Sequence, residues 1–411
     1  MLRILQISDS KELSRIMQDI NVDPYGIQIM APKGMSYTIR INSLPCIAAN
    51  ILKQEMLSLG ADVAVAKNAL TGKIKNTDCL LMGNLSQFQR LNTKLNQQPF
   101  GLNRLAEDIS RALLNYKKNN FILDLSRYKI KLRLRPVIMG IVNLTPDSFS
   151  GNGFFQGLSP TDLRGTLSKG TVPERVIDFA KKMVADGADI IDIGGESSRP
   201  DAKPVSIKEE LKRTIPIIKI LAKRIKVPIS IDTYKPQVAK EALDCGALIV
   251  NDITGLRNPK MRKLIAQYKA AAIIMHMKGN PRTMQKKPVY ESLIDEILKY
   301  LNRSVELALF SGIAEDKIII DPGIGFGKTV EHNLEIIQKL KEFKVLGYPI
   351  LIGTSRKSFI GKILNAGLKE RIFGTVSACV LAVKNGADMV RVHDVKAVKQ
   401  ALKIAQKINS L

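Results

Sequence analysis

The chain has 411 residues, more than one ordinary core accommodates, and its 45% apolar and 25% charged content is that of a globular protein of two domains. The net charge of +25 is spread along the length without a block of like charges, which argues against a nucleic-acid arm; a Lys-rich solvated surface accounts for it, and a field that draws in small anions is the alternative. No apolar run approaches the roughly 18 residues of a membrane span, the first residues lack a secretion-signal pattern, and the four cysteines stand singly, which argues against a zinc site or a disulfide framework. A cytoplasmic protein is expected.

In chain order, residues 1–118 read as a small α/β domain. Apolar, β-branched runs predict strands at 3–7, 37–41, 62–66 and 79–82, and periodic stretches predict helices at 45–59 and 102–116. No constellation of chemically active residues falls within it. Residues 121–135 alternate strongly and break at Ser126-Arg127, which predicts a hairpin covering the N-terminal mouth of the second domain.

From residue 119 to 411 one unit repeats. Strands are predicted at 137–142, 189–193, 229–231, 248–250, 272–275, 318–320, 350–352 and 389–392, with amphipathic helices between them. Gly187, Gly246, Gly312 and Gly386 each stand between a helical stretch and a strand, where a left-handed cap ends a helix. Pro136, Pro228 and Pro349 directly precede strands, where a missing N–H does little harm. Eight such units close into a (β/α)8 TIM barrel more naturally than they form an open sheet. A doubly wound sheet is the alternative, but no G-x-G-x-x-G follows any strand.

In such a barrel the loops after the strands carry the chemistry, and here every strand end hands over to polar groups. They are Asn143 with Asp147, Glu196 to Arg199, Asp232, Asn251-Asp252, His276, Asp321 with its glycine-rich turn, Ser355-Arg356-Lys357, and Arg391 with His393-Asp394. One of these is an ordinary cap; all eight together are not. Asp232, Asn251 and Asp321 offer two carboxylates and an amide to one mouth, a set suited to a flat heterocycle rich in N–H groups. Ligation of a hard cation is the competing reading of the acidic pair. Lys357 beside Arg356, and Arg391 with His393, place positive charge after the last two strands, where barrels hold phosphate. Asn143 and Asp147 offer oxygen ligands that Mg2+ shares with phosphates.

Taken together, the motifs at 143–150, 192–200, 231–236, 251–252, 275–279, 321–328, 355–357 and 391–394 resemble those of the dihydropteroate synthase family, over the stretch from Pro136 to the C-terminus. The resemblance implies a barrel enzyme, usually a homodimer, that joins 4-aminobenzoate to 6-hydroxymethyl-dihydropterin diphosphate with Mg2+ and releases pyrophosphate. Carried over residue by residue, it implies that Asp232, Asn251, Asp321 and Lys357 hold the pterin. Asn143, Arg391 and His393 hold the diphosphate and its Mg2+, with Asn143 as the metal ligand. Ser198, Arg199, Lys357 and Ser358 lie beside the aminobenzoate. Asp232, Lys357 and Arg391 are the expected catalytic groups.

Two features depart from the family pattern. Ser198 stands where a threonine is usual and Asp201 where a glycine is usual, and residues 151–171 form an inserted polar, glycine-rich stretch in the first loop. Two other readings compete. A pterin-binding methyltransferase on the same barrel has no need of the cationic groups at 355–357 and 391–393. A silent scaffold, with its function in residues 1–118, has no reason to keep all eight polar strand ends.

Overall fold

The computed structural model describes residues 2–7, 9–132, 135–144, 172–197, 204–280 and 283–409. Packing divides the chain into two units, Met1–Leu114 and Asn115–Leu411.

The first unit begins with residues 2–7 in no regular structure, then α1 (Ser10–Asp19) and α2 (Pro24–Met30). Next come β1 (Ser36–Pro45), α3 (Cys46–Leu57), β2 (Asp62–Val65), β3 (Asn76–Asn84), α4 (Leu85–Leu95) and α5 (Leu102–Lys117). The sheet is antiparallel in the order β1-β3-β2. Its apolar face, with Val63, Cys79 and Leu81, packs on Leu52, Met56, Phe88 and Leu91 of the helices. The strand expected at residues 3–7 is corrected: Leu2 and Ile4 are exposed and the segment pairs with none of the three strands. Three helices not anticipated there, α1, α2 and α4, are announced by Asp9, Asp23 and Asn84, whose side chains accept free N–H groups of the first turn as N-caps.

The second unit opens with the hairpin β4 (Ile122–Leu125) and β5 (Tyr128–Lys131), and Ser126 makes its turn with φ +57°. Phe121, Leu123, Leu125 and Leu132 pack against Val137, Met139, Ile190, Ile273, Leu351 and Met389. The hairpin therefore plugs the N-terminal end of the barrel. The plug leaves the C-terminal end as the open mouth.

The barrel strands are β6 (Val137–Asn143), β7 (Ile190–Gly194), β8 (Ile229–Asp232), β9 (Ile249–Asp252), β10 (Ala271–Met275), β11 (Ile318–Asp321), β12 (Leu351–Ile352) and β13 (Met389–Val392). All run parallel in the order β11-β10-β9-β8-β7-β6-β13-β12, and a parallel bridge between Ile320 and Ile350 joins the ends of the row. Helices cover the outer face: α6 (Val172–Ala185), α7 (Ile207–Arg224), α8 (Pro236–Asp244), α9 (Pro259–Tyr268), α10 (Leu293–Phe310), α11 (Val330–Gln338), α12 (Ser358–Leu364), α13 (Ile372–Lys384) and α14 (Val395–Asn409). Strands buried on both faces lose the polar–apolar alternation and read as continuous apolar runs. The glycines that end α6 and α8, Gly187 and Gly246, take φ of +104° and +106°, which a side chain would strain. Among the described residues no helix is long and apolar enough to cross a membrane.

Candidate active site

The parallel register sets one row of residues across the mouth. Asn143 pairs with Gly194, Gly194 with Asp232, and Asp232 with Asn251. Residues in one row share a face of the sheet, so the amide, the carboxylate and the second amide face the same interior. Gly194 leaves the room between them: a Cβ there would come 3.5 Å from Asn143 Oδ1 and 3.5 Å from Asp232 Cβ.

Arg391, from β13, reaches across this row. It donates from Nε to Asp192 Oδ2 at 2.6 Å and from Nη2 to Asp232 Oδ2 at 2.6 Å. Asn251 Nδ2 donates to the same Asp192 oxygen at 3.2 Å. Asp192 is 0% exposed and Asn251 4%, so this charge cluster is closed from below and open only toward the mouth. Burial pulls the Arg391 pKa down, but Asp192 and Asp232 outweigh it and the net shift is upward. Burial pushes Asp232 well above the usual carboxylate range, against the pull of Arg391. Sequence reasoning gave Asp192 no role of its own, because it sits inside an apolar strand, two residues short of the strand's end. The signal was there: a carboxylate within a run of isoleucines needs a buried partner.

Asp321 ends β11 at 6% exposure, and its Oδ1 accepts from the Gly323 N–H at 2.7 Å. Burial raises it to about 6, opposed by that hydrogen bond and by Lys357 and Lys328. The turn after it is packed tightly. At Gly323, φ +73°, a Cβ would lie 2.0 Å from the carbonyl oxygen of His276, so only glycine fits. Lys328, 3% exposed, lies 2.9 Å from His276 Nδ1 and donates to the Phe326 carbonyl at 3.1 Å. Burial lowers Lys328 to about 7 and His276 to about 2, the latter aided by Lys328. His276 is therefore held against the turn as a neutral ring, edge-on to Tyr300.

The cationic side is built by β12 and β13. Ser355 Oγ lies 2.9 Å from His393 Nδ1 and accepts from the His393 N–H at 3.2 Å, which fixes the imidazole. The Lys357 ammonium stands 4.3 Å from the centre of the Phe326 ring, a cation–π contact that holds it beside the Asp321 turn. Arg356, at φ +55°, holds Asp394 with its guanidinium, through Nε at 2.9 Å and Nη2 at 2.5 Å. Ser358 begins α12 and is exposed. Ser198, Arg199, Asp147, Asp201 and the insertion at 151–171 lie outside the described residues.

Beside Asp232 a cavity of about 390 Å3 opens, bounded by Glu196, Glu210, Tyr234, Ile253 and Arg257 among others. The mouth therefore combines buried carboxylates and an amide with the cationic groups Lys357 and Arg391 and with His393. Such a site accepts a ligand with an N–H-rich flat end and an anionic tail. Among the described residues no group of three His, Cys, Asp or Glu is arranged to hold a metal ion.

The barrel also resembles known proteins in sequence and fold. Residues 139–393 match the family described as pterin binding enzyme. The dihydropteroate synthase of Synechocystis sp. is 50% identical over 273 residues, 66% of this chain and 89% of that protein. The solved Xanthomonas albilineans dihydropteroate synthase with 4-aminobenzoic acid superposes at a TM-score of 0.64 with 35% identity, covering 71% of this chain and 99% of that one. A probable bifunctional folylpolyglutamate synthase/dihydropteroate synthase of Halobacterium salinarum is 35% identical over 394 residues, 95% of this chain and 45% of that protein, so that match extends through most of the first unit as well. With the family match spanning the barrel and its mouth, the chain belongs to the pterin-binding transferases, and within them to the dihydropteroate synthases.

Proposed function

We propose that the chain condenses 6-hydroxymethyl-7,8-dihydropterin diphosphate with 4-aminobenzoate, and that the barrel mouth divides the work among three groups of residues. Asp321, Asn251 and Asp232 hold the N–H-rich edge of the pterin, with Lys357 at its other side. Arg391 and His393 hold the diphosphate. Ser198, Arg199, Lys357 and Ser358 receive the aminobenzoate, the ligand that the Xanthomonas relative holds.

The single observation that carries this reading is Arg391 bonded to both Asp192 and Asp232. One cation is held between the pterin carboxylate and the diphosphate side, where charge must move. The methylene C–O bond breaks with its electron pair leaving on the diphosphate. The cation left on the methylene is spread into the pterin ring and stabilised by Asp232. The aniline nitrogen then donates its lone pair to form the C–N bond and releases its proton, which needs no strong base because the anilinium is already very acidic. Fixed charges aimed at the leaving group supply the main catalytic effect.

Mg2+ would be held jointly by Asn143 and the substrate phosphates. Asn143 offers a neutral oxygen beside Asp232 across Gly194, and Mg2+ bound mainly through substrate phosphates needs only one or two protein groups. When bound, the ion would supply positive charge to the diphosphate beside Arg391 and His393. A homodimer forms, in this reading, through α13 and α14. Phe373, Leu381, Ile404 and Ile408 are exposed there, and a groove of about 370 Å3 runs between the helices. In this reading the first unit is a separable domain, so deleting residues 1–118 should leave a soluble barrel. Four thiols free of disulfides agree with a cytoplasmic setting.

The test is product identification. Purified chain, dihydropterin diphosphate, 4-aminobenzoate and Mg2+ should yield 7,8-dihydropteroate by mass spectrometry. Absence of that mass with intact substrates would overturn the proposal.

A further inference from the structure

Lys235 stands at the N-cap of α8, directly before Pro236. A cation there is disfavoured by the positive end of the helix dipole, and its side chain makes no cap hydrogen bond. Its ammonium turns back instead to three acceptors. It pairs with Glu196 in the loop after β7 and with Glu210 Oε2 in the first turn of α7 at 2.5 Å, and donates to the Val205 carbonyl at 2.7 Å. Glu196 also accepts from the Tyr234 hydroxyl at 3.2 Å. Glu210 is 1% exposed, so its charge depends on Lys235 for a partner. The two carboxylates outweigh burial and raise the Lys235 pKa, keeping it charged.

The position of this knot matters. Lys235 follows Asp232 by three residues, and Glu196, Glu210 and Asp232 border the same cavity. The β7 loop is tied a second time where Arg213 of α7 donates from Nη1 to the Gly195 carbonyl at 2.9 Å. Gly195 itself presses on α7: a Cβ there would come 2.8 Å from Thr214 and 2.9 Å from Glu210. Gly195 and Glu196, directly after β7, are thus tied to α7 by Arg213 and to the start of α8 by Lys235.

We propose that Lys235 is a positioning residue for the acceptor. Through Glu196 and Glu210 it sets the loop after β7 against the pterin-binding end of β8, and so fixes the distance between the two substrates. It touches neither substrate. This rests on the assignment of Ser198 and Arg199, in that loop, to the aminobenzoate.

The experiment compares full-length Lys235→Met, Lys235→Arg, Glu196→Gln and Arg199→Ala by steady-state kinetics in both substrates and by thermal melting. Misplacing a positioned group costs rate and affinity steeply, so Lys235→Met should raise the KM for 4-aminobenzoate by about tenfold or more while the KM for the dihydropterin diphosphate moves less than about threefold. Lys235→Arg, whose fork bridges two carboxylates, should restore the aminobenzoate KM to within about threefold. Glu196→Gln should shift it in the same direction as Lys235→Met and serves should that variant fail to fold. An unchanged aminobenzoate KM in folded Lys235→Met or Glu196→Gln, or an equal rise for both substrates, overturns the inference. If Arg199→Ala raises that KM when the Lys235 and Glu196 variants do not, the inference alone fails. If Arg199→Ala also leaves it unchanged, the assignment of the loop fails first.

Discussion

Replacing Arg391 by methionine keeps an unbranched apolar stem and removes the guanidinium and its charge. The consequence has two parts. Asp192, fully buried, and Asp232 each lose a bond of 2.6 Å to the guanidinium and are left as neighbouring carboxylates on adjacent strands. Breaking a buried ion pair from one side costs about 3–5 kcal/mol of stability. The second part concerns the substrate. A hydrogen bond to a charged group contributes about 1.5–3 kcal/mol, which corresponds to about a 10- to 150-fold loss of diphosphate affinity. Calorimetric titration with the dihydropterin diphosphate, and with the same pterin lacking the diphosphate, separates these effects, with denaturant unfolding run in parallel. The expected result is a large loss for the diphosphate, a much smaller one for the bare pterin, and a lowered unfolding midpoint. Equal losses for both ligands, or unchanged diphosphate affinity in a folded variant, would refute the placement of Arg391 between pterin and leaving group. Arg391→Lys should recover only part of the affinity, because an ammonium lacks the fork that spans two carboxylates.

The same geometry carries further expectations. Asp232→Ala should abolish turnover with an unchanged circular dichroism spectrum; wild-type-like activity would remove the pterin assignment. Asp321, raised by burial from the ordinary carboxylate range to about 6, favours the folded state below about pH 4, and that contribution is lost as pH rises through about 6. The pterin's N–H groups favour the ionised form, so pterin affinity should fall as pH drops below about 6, and a flat binding profile between about pH 5 and 8 would contradict this role. Leu123→Ala, at a site 1% exposed in the plug beneath the barrel, should cost about 2–5 kcal/mol in denaturant unfolding. An unfolding midpoint equal to wild type would show that the hairpin contributes little to closing that end.

Much of the barrel was legible because its physics leaves marks on sequence. Parallel strands buried on both faces read as isoleucine- and valine-rich runs, and Gly187, Gly246, Gly312 and Gly386, all at positive φ, punctuate the helix ends. The row Asn143, Asp232, Asn251 was visible as polar residues at strand ends, since a polar side chain closing an apolar strand points into the mouth. What sequence did not reveal depends on long-range pairing. Asp192 becomes part of the site only when Arg391, 199 residues away, reaches it. Arg356 meets Asp394, 38 residues away, only once the last two strands stand side by side. Residues 3–7 carry strand-like apolar character but find no edge to pair with, and propensity alone does not make a strand.

The most direct test of the central claim is pyrophosphate release from 6-hydroxymethyl-dihydropterin diphosphate in the presence of Mg2+, with and without 4-aminobenzoate. The structure predicts release coupled one-to-one to dihydropteroate formation when both substrates are present. Release without that product would place the acceptor chemistry elsewhere, and no release from a folded, pterin-binding chain would contradict the account.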